Sequence, residues 1–258
     1  MSEKLTRKEL KQPDAFQKAG GEAGAWLVQH QKAAVLLVVA LLLGGAGVAL
    51  ANYFSGRGEA KASKELGAHL SLLGRPVEGQ GAVEPGSEPP FKTAQEKDEA
   101  IIQALTGFRA SHAETKAASI AALTLGQALL RQEKPDEAIA AFHAYLKGAT
   151  MGDPLRAAAL EGRGYALELK GQLDEALAAF DQMARENRAD FLQGMGLYHR
   201  ARILVAQGKK DEAAKQLSEI PAVAPNSSAA RLATDRMALL AAEGVKVPPP
   251  QAPAADAG

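Results

Sequence analysis

The side chains with reactive chemistry in this 258-residue chain are few and poorly spaced for it. His30, His69, His112, His143 and His199 make no i, i+3 or i, i+4 pair with one another and no His-Glu-x-x-His motif, so the spacing that puts two imidazoles on one metal ion is missing. Cysteine is absent, which excludes disulfides, thiolate nucleophiles, Cys-ligated zinc or iron–sulfur clusters and Cys-linked lipid. No serine stands in a Gly-x-Ser-x-Gly elbow. The densest glycines, Gly162/Gly164 and Gly194/Gly196, are followed by no Gly-Lys-Ser/Thr, so no phosphate loop is expected. Asp-Glu pairs do recur, but at a fixed period, and carboxylates at helix starts explain that better than acid–base catalysis. The sequence therefore predicts a non-enzyme with no cofactor, no metal and no small-molecule substrate. Thirty basic against 30 acidic residues leave no cationic excess for nucleic acid.

The period is the strongest signal. Asp-Glu-Ala stands at 98–100, 136–138, 174–176 and 211–213, with steps of 38, 38 and 37 residues, the range of stacked supersecondary units. Four residues after the alanine come Phe142, Phe180 and Leu217, and twelve before it Gly126, Gly164 and Ala201. Leu160, Arg163-Gly164 and Leu167 repeat as one face of a helix, Lys170-Gly171 ends it, and Asp174-Glu175 opens its partner. This A-x3-F spacing, with a small residue upstream and Pro225 at the end, resembles the tetratricopeptide repeat, a pair of antiparallel helices. The expected fold is all-α: repeats at 119–152, 157–190 and 194–227, then a capping helix at 228–243. The copy at Asp98 predicts a further second helix, with its first helix at about 58–73. Segment 74–90 is dense in Gly and Pro and is expected to be a disordered insertion, as is the tail at 244–258.

Ala33 to Ala51 is a run of nineteen residues without a charged, amide or hydroxyl side chain, enough helix to cross roughly 30 Å of hydrocarbon. The charged stretch of 32 residues before it, and its own length against the ~7–15 apolar residues of a signal peptide, predict an uncleaved anchor over 33–54. Ala40/Gly44 and Gly45/Ala49 have the spacing with which two spans pack, so a dimer through the span joins the expected partners. Cations near the span are balanced: Lys18 and Lys32 on one side, Arg57, Lys61 and Lys64 on the other. Charge alone leaves the orientation open.

In repeats of this kind first helices line the concave surface, which the resemblance places at Leu123, Gln127, Glu161, Tyr165, Glu168, Tyr198, His199 and Arg202. Aromatic groups beside charges suit a polypeptide partner. The order of features (a charged tail at 1–32, one span, a membrane-proximal segment at 55–91 and an Ala-rich array at 92–243) is similar to the single-span ancillary subunit of the bacterial Sec translocon, with Phe191 to Ile220 the most similar stretch. That resemblance implies an inner-membrane protein with a cytoplasmic N-terminus and periplasmic repeats. Its implied partners are translocon subunits, periplasmic chaperones and secreted client chains. A docking receptor with cytosolic repeats and a regulatory subunit of an envelope enzyme stay open beside it.

Overall fold

The computed structural model describes residues 56–80, 86, 88–187 and 190–251. The expected tail and span lie outside them, and no described helix is long and apolar enough to cross a membrane. The described residues hold α1 (56–74), α2 (Ala94–Ser111), α3 (Lys116–Arg131), α4 (Pro135–Gly148), α5 (Arg156–Leu169), α6 (Leu173–Glu186), α7 (Asp190–Ala206), α8 (Lys210–Val223) and α9 (Ser228–Ala242). Among them the only extended pairings are two isolated bridges, Val77 with Gln80 and Val77 with Phe91.

The helix ends follow from local chemistry. Thr93, Thr115 and Ser227 stand just before α2, α3 and α9, and their hydroxyls accept from Glu96 N (3.0 Å), Ala118 N (3.1 Å) and Ala230 N (3.1 Å), satisfying amides the helix leaves free. The second helices α4, α6 and α8 have no side-chain cap; each carries an Asp-Glu pair in its first turn, where carboxylates meet the positive end of the dipole. Between the helices of a pair the chain turns through a left-handed residue: Gly171 (φ 72°) and, in the preceding repeat, Glu133 (φ 52°). The residue after each donates back five positions, Gln172 N to Leu167 O and Lys134 N to Leu129 O, both at 2.9 Å.

The core explains the recurring small residue. A Cβ on Gly126 would sit 2.8 Å from the Phe142 ring and one on Gly164 only 2.5 Å from that of Phe180, so both close approaches require glycine. Phe142 also meets Gly162 of the next repeat, and both phenylalanines are fully buried. Ala201 and Leu217 hold the corresponding places in the last pair. A buried arginine, ion-paired within its own repeat, ties that repeat to the one before. Arg156 Nε and Nη2 donate to Glu186 at 2.8 and 2.9 Å, while Nη1 reaches Leu146 O (3.2 Å) and Ala149 O (3.0 Å), joining α4, α5 and α6.

The helix expected at 58–73 pairs with α2: Ala62 and Leu66 join Ile101, Leu105 and Phe108 in one buried cluster. Glu59 then accepts from Lys116 N (2.8 Å) and Ala117 N (2.9 Å), so α1 supplies a cap to α3.

Two expectations of disorder need correction for their described parts. Around the Gly/Pro-rich insertion, Glu78 N donates to Phe91 O (2.8 Å), Phe91 N to Pro76 O (3.0 Å), and Arg75 pairs with Glu88 (2.9 Å). Composition missed the anchor: Phe91 is buried, with the Arg75 guanidinium 4.1 Å above its ring. In the tail, Val245 and Val247 pack against the last core cluster and Gln251 N donates to Ser218 O (2.8 Å). Two apolar side chains at alternate positions suffice to lay that strand-like segment on α8 and α9.

Candidate polypeptide-binding surface

Helices α5 and α7 place most of the expected surface residues in one network. Glu161, Tyr165 and Glu168 share a face of α5 at i, i+4, i+7. Opposite them on α7, His199 Nε2 lies 3.0 Å from Glu161 Oε1 and 3.4 Å from the Tyr165 hydroxyl. One helical turn on, Arg202 grips Glu168 with both ends of its fork, Nη1 to Oε1 at 2.5 Å and Nη2 to Oε2 at 2.7 Å. Its guanidinium stands 5.3 Å from the centre of the Tyr165 ring. Burial pushes the Tyr165 phenol above its ordinary pKa, and the negative charge of Glu161 adds to the shift.

Beside this network a depression of about 420 Å³ is lined by Leu130, Tyr165, Glu168 and Leu169. It lies at the C-terminal ends of α3 and α5. Leu169 is 56% exposed and supplies an apolar wall. The half-exposed Tyr165 and Glu168 give the other wall a ring and a charge.

Two expected surface residues are instead interior. Leu123 is 5% exposed and belongs to the core with Leu125 and Leu129, because the apolar stripe of α3 is wide enough to include it. His199 is 3% exposed, with its ring tilted against Phe180 at 4.8 Å. It packs between repeats and orients Glu161 rather than meeting a partner. Gln127 is exposed on α3, and Tyr198 is partly buried against the last cluster. The sequence did not point to Leu130 or Leu169, since an apolar residue near a helix end reads as core until its neighbours are placed.

The arrangement has the makings of a binding surface: an apolar recess, an aromatic edge and charges already held in place. Residues 123–191 match a family model of the tetratricopeptide repeat, and residues 196–227 match a second one. Tetratricopeptide repeats are thus present from α3 through α8, and such repeats serve generally as protein–protein interaction scaffolds. No curated protein matches the chain.

Proposed function

We propose that this protein is a non-enzymatic scaffold anchored in a bacterial inner membrane by residues 33–54, with its charged tail in the cytoplasm and its repeats in the periplasm. Its concave surface holds extended polypeptide. As an ancillary subunit of the Sec translocon it passes secreted chains to periplasmic chaperones. The observation that carries the binding role is the recess at Leu130, Tyr165, Glu168 and Leu169, where apolar area adjoins a fixed Arg202–Glu168 pair. The nineteen-residue apolar run supports the anchor, and the order of tail, run and repeats supports the translocon reading.

A photoreactive amino acid at Gln127 or Leu169, activated in intact cells, tests both the surface and its partners. Translocon subunits, periplasmic chaperones or secreted chains are the expected adducts; adducts confined to cytosolic proteins refute the proposal. Protease added to spheroplasts is expected to digest the repeats, and their full protection reverses the orientation.

A further inference from the structure

The helix pairs give the array two unlike edges. One edge carries the C-terminal ends of α2, α4, α6 and α8 and the N-terminal ends of α3, α5, α7 and α9; the other carries the opposite ends. Of the eight large apolar side chains that are exposed among the described residues, five lie on the first edge: Ile120, Met151, Leu155, Phe191 and Leu232, each between 38% and 70% exposed. Ile120 and Leu232 are each the fifth residue of their helices, whereas the fifth residues of α5 and α7 are the buried Leu160 and Gly194, so the edge is assembled from different positions in different repeats.

Charge divides in the same way. The last turns of α2, α4 and α6 bear Arg109, Lys147 and Arg185, and Lys116 opens α3. The first turns of α3, α5 and α9 hold no acidic residue; α7, which begins at Asp190, is the exception. Several carboxylates on this edge are engaged: Glu59 by the amides of α3, Asp153 by the Tyr145 hydroxyl, Glu186 by Arg156, Asp181 by Arg185 and Glu219 by the Gln216 amide; Glu114 and Asp190 also belong to it. The other edge gathers the acidic first turns, Glu96, Asp136-Glu137, Asp174-Glu175 and Asp211-Glu212. Cations there include Lys170 and Lys210, paired with Asp136 and Glu243.

The chain enters the array on the basic, apolar edge. Glu59, near the start of α1, reaches the first amides of α3, and only residues 52–55 separate α1 from the apolar run ending at Ala51. Five residue steps span at most about 18 Å.

We propose that this edge rests on the surface of an anionic lipid bilayer, with Leu155, Phe191 and their neighbours at headgroup depth and Lys116, Lys147 and Arg185 beside lipid phosphates. Exposed apolar side chains flanked by cations are the chemistry of an interfacial surface. The acidic edge, and with it the recess at the C-terminal ends of α3 and α5, then points to water. This inference rests on the anchor proposed above.

The absence of cysteine makes the test clean. Single-residue variants Leu155→Cys, Phe191→Cys and, on the acidic edge, Glu137→Cys of the full chain carry an environment-sensitive nitrobenzoxadiazole label. The labelled chains are reconstituted into phosphatidylethanolamine–phosphatidylglycerol vesicles, with or without spin-labelled lipid. Flotation after alkaline carbonate reads the anchor alone. Labels at 155 and 191 are expected to be quenched by spin-labelled lipid roughly twofold more than the label at 137, with the excess falling when phosphatidylglycerol is replaced by phosphatidylcholine. A chain that floats but shows equal quenching at all three positions overturns the lipid-facing edge and leaves the anchor standing. An excess that persists unchanged without phosphatidylglycerol overturns the role given to the cations. A chain that does not float overturns the anchor, and this inference with it.

Discussion

Gly164 and Phe180 set the spacing of α5 and α6, and that claim has a sign that can be reversed. A methyl group at Gly164 would lie 2.5 Å from both Cε1 and Cζ of Phe180, about an ångström inside ordinary contact. The ring has little room to retreat, since it is fully buried with the His199 ring 4.8 Å away on another helix. Overpacking of this kind costs about 1–3 kcal/mol, whereas replacing a mid-helix glycine by alanine gains up to about 1 kcal/mol in helix propensity. The clash wins, so Gly164→Ala should destabilise the array by about 1–2 kcal/mol. Leucine has no atoms where Cε1 and Cζ stand. In a Phe180→Leu background the clash disappears, and Gly164→Ala should stabilise by up to about 1 kcal/mol. The coupling energy of the cycle is then about 1–3 kcal/mol. Urea unfolding of the full chain in detergent, followed by helical circular dichroism, gives all four corners. Gly164→Ala that stabilises the parent, or that costs the same in both backgrounds, refutes the assignment of helix spacing to this contact.

Glu133→Gly should raise stability by about 0.5–1 kcal/mol, because Glu133 holds the left-handed turn that Gly171 holds in the next repeat; the urea midpoint checks it. Arg156→Met should cost about 3–5 kcal/mol at neutral pH by leaving the Glu186 carboxylate, 8% exposed, without its counter-charge. Hydrogen bonds from Arg156 hold the folded Glu186 carboxyl below its ordinary pKa, with Gln182 adding to the shift. The pair's stabilisation is therefore complete above the unfolded carboxyl value of about 4.3 and fades as pH falls through the lower folded value. The parent should lose stability as pH falls below the unfolded carboxyl value of about 4.3, and the gap to Arg156→Met should narrow on acidification. A gap that stays constant counts against the ion pair.

Much of the array was readable from spacing alone. Asp-Glu-Ala, the phenylalanine four residues on and the glycine twelve back each answer to one local requirement: a dipole, a knob and a hole. Those requirements recur with every helix pair, so periodicity reports them directly. The surface was less readable, because exposure is a property of neighbours. Leu123, His199 and Leu169 sit at equally plausible positions on their helices, yet the first two are interior and the third lines the recess. Nothing in a helical stripe reveals where it ends until the adjacent pair is placed against it.

The sequence by itself determined that the chain repeats, that its units are helix pairs, and that carboxylates gather at one end of each pair, since all three follow from interactions within about forty residues. Only the tertiary structure decided the rest. The stacking angle brought Arg202 to Glu168 and Arg156 to the carbonyls of Leu146 and Ala149, drew Phe91 and Val247 into contacts that Gly- and Pro-rich composition concealed, and aligned five exposed apolar residues along one edge. These are contacts between surfaces whose relative position no single segment encodes, and they exist only once each pair has found its neighbour.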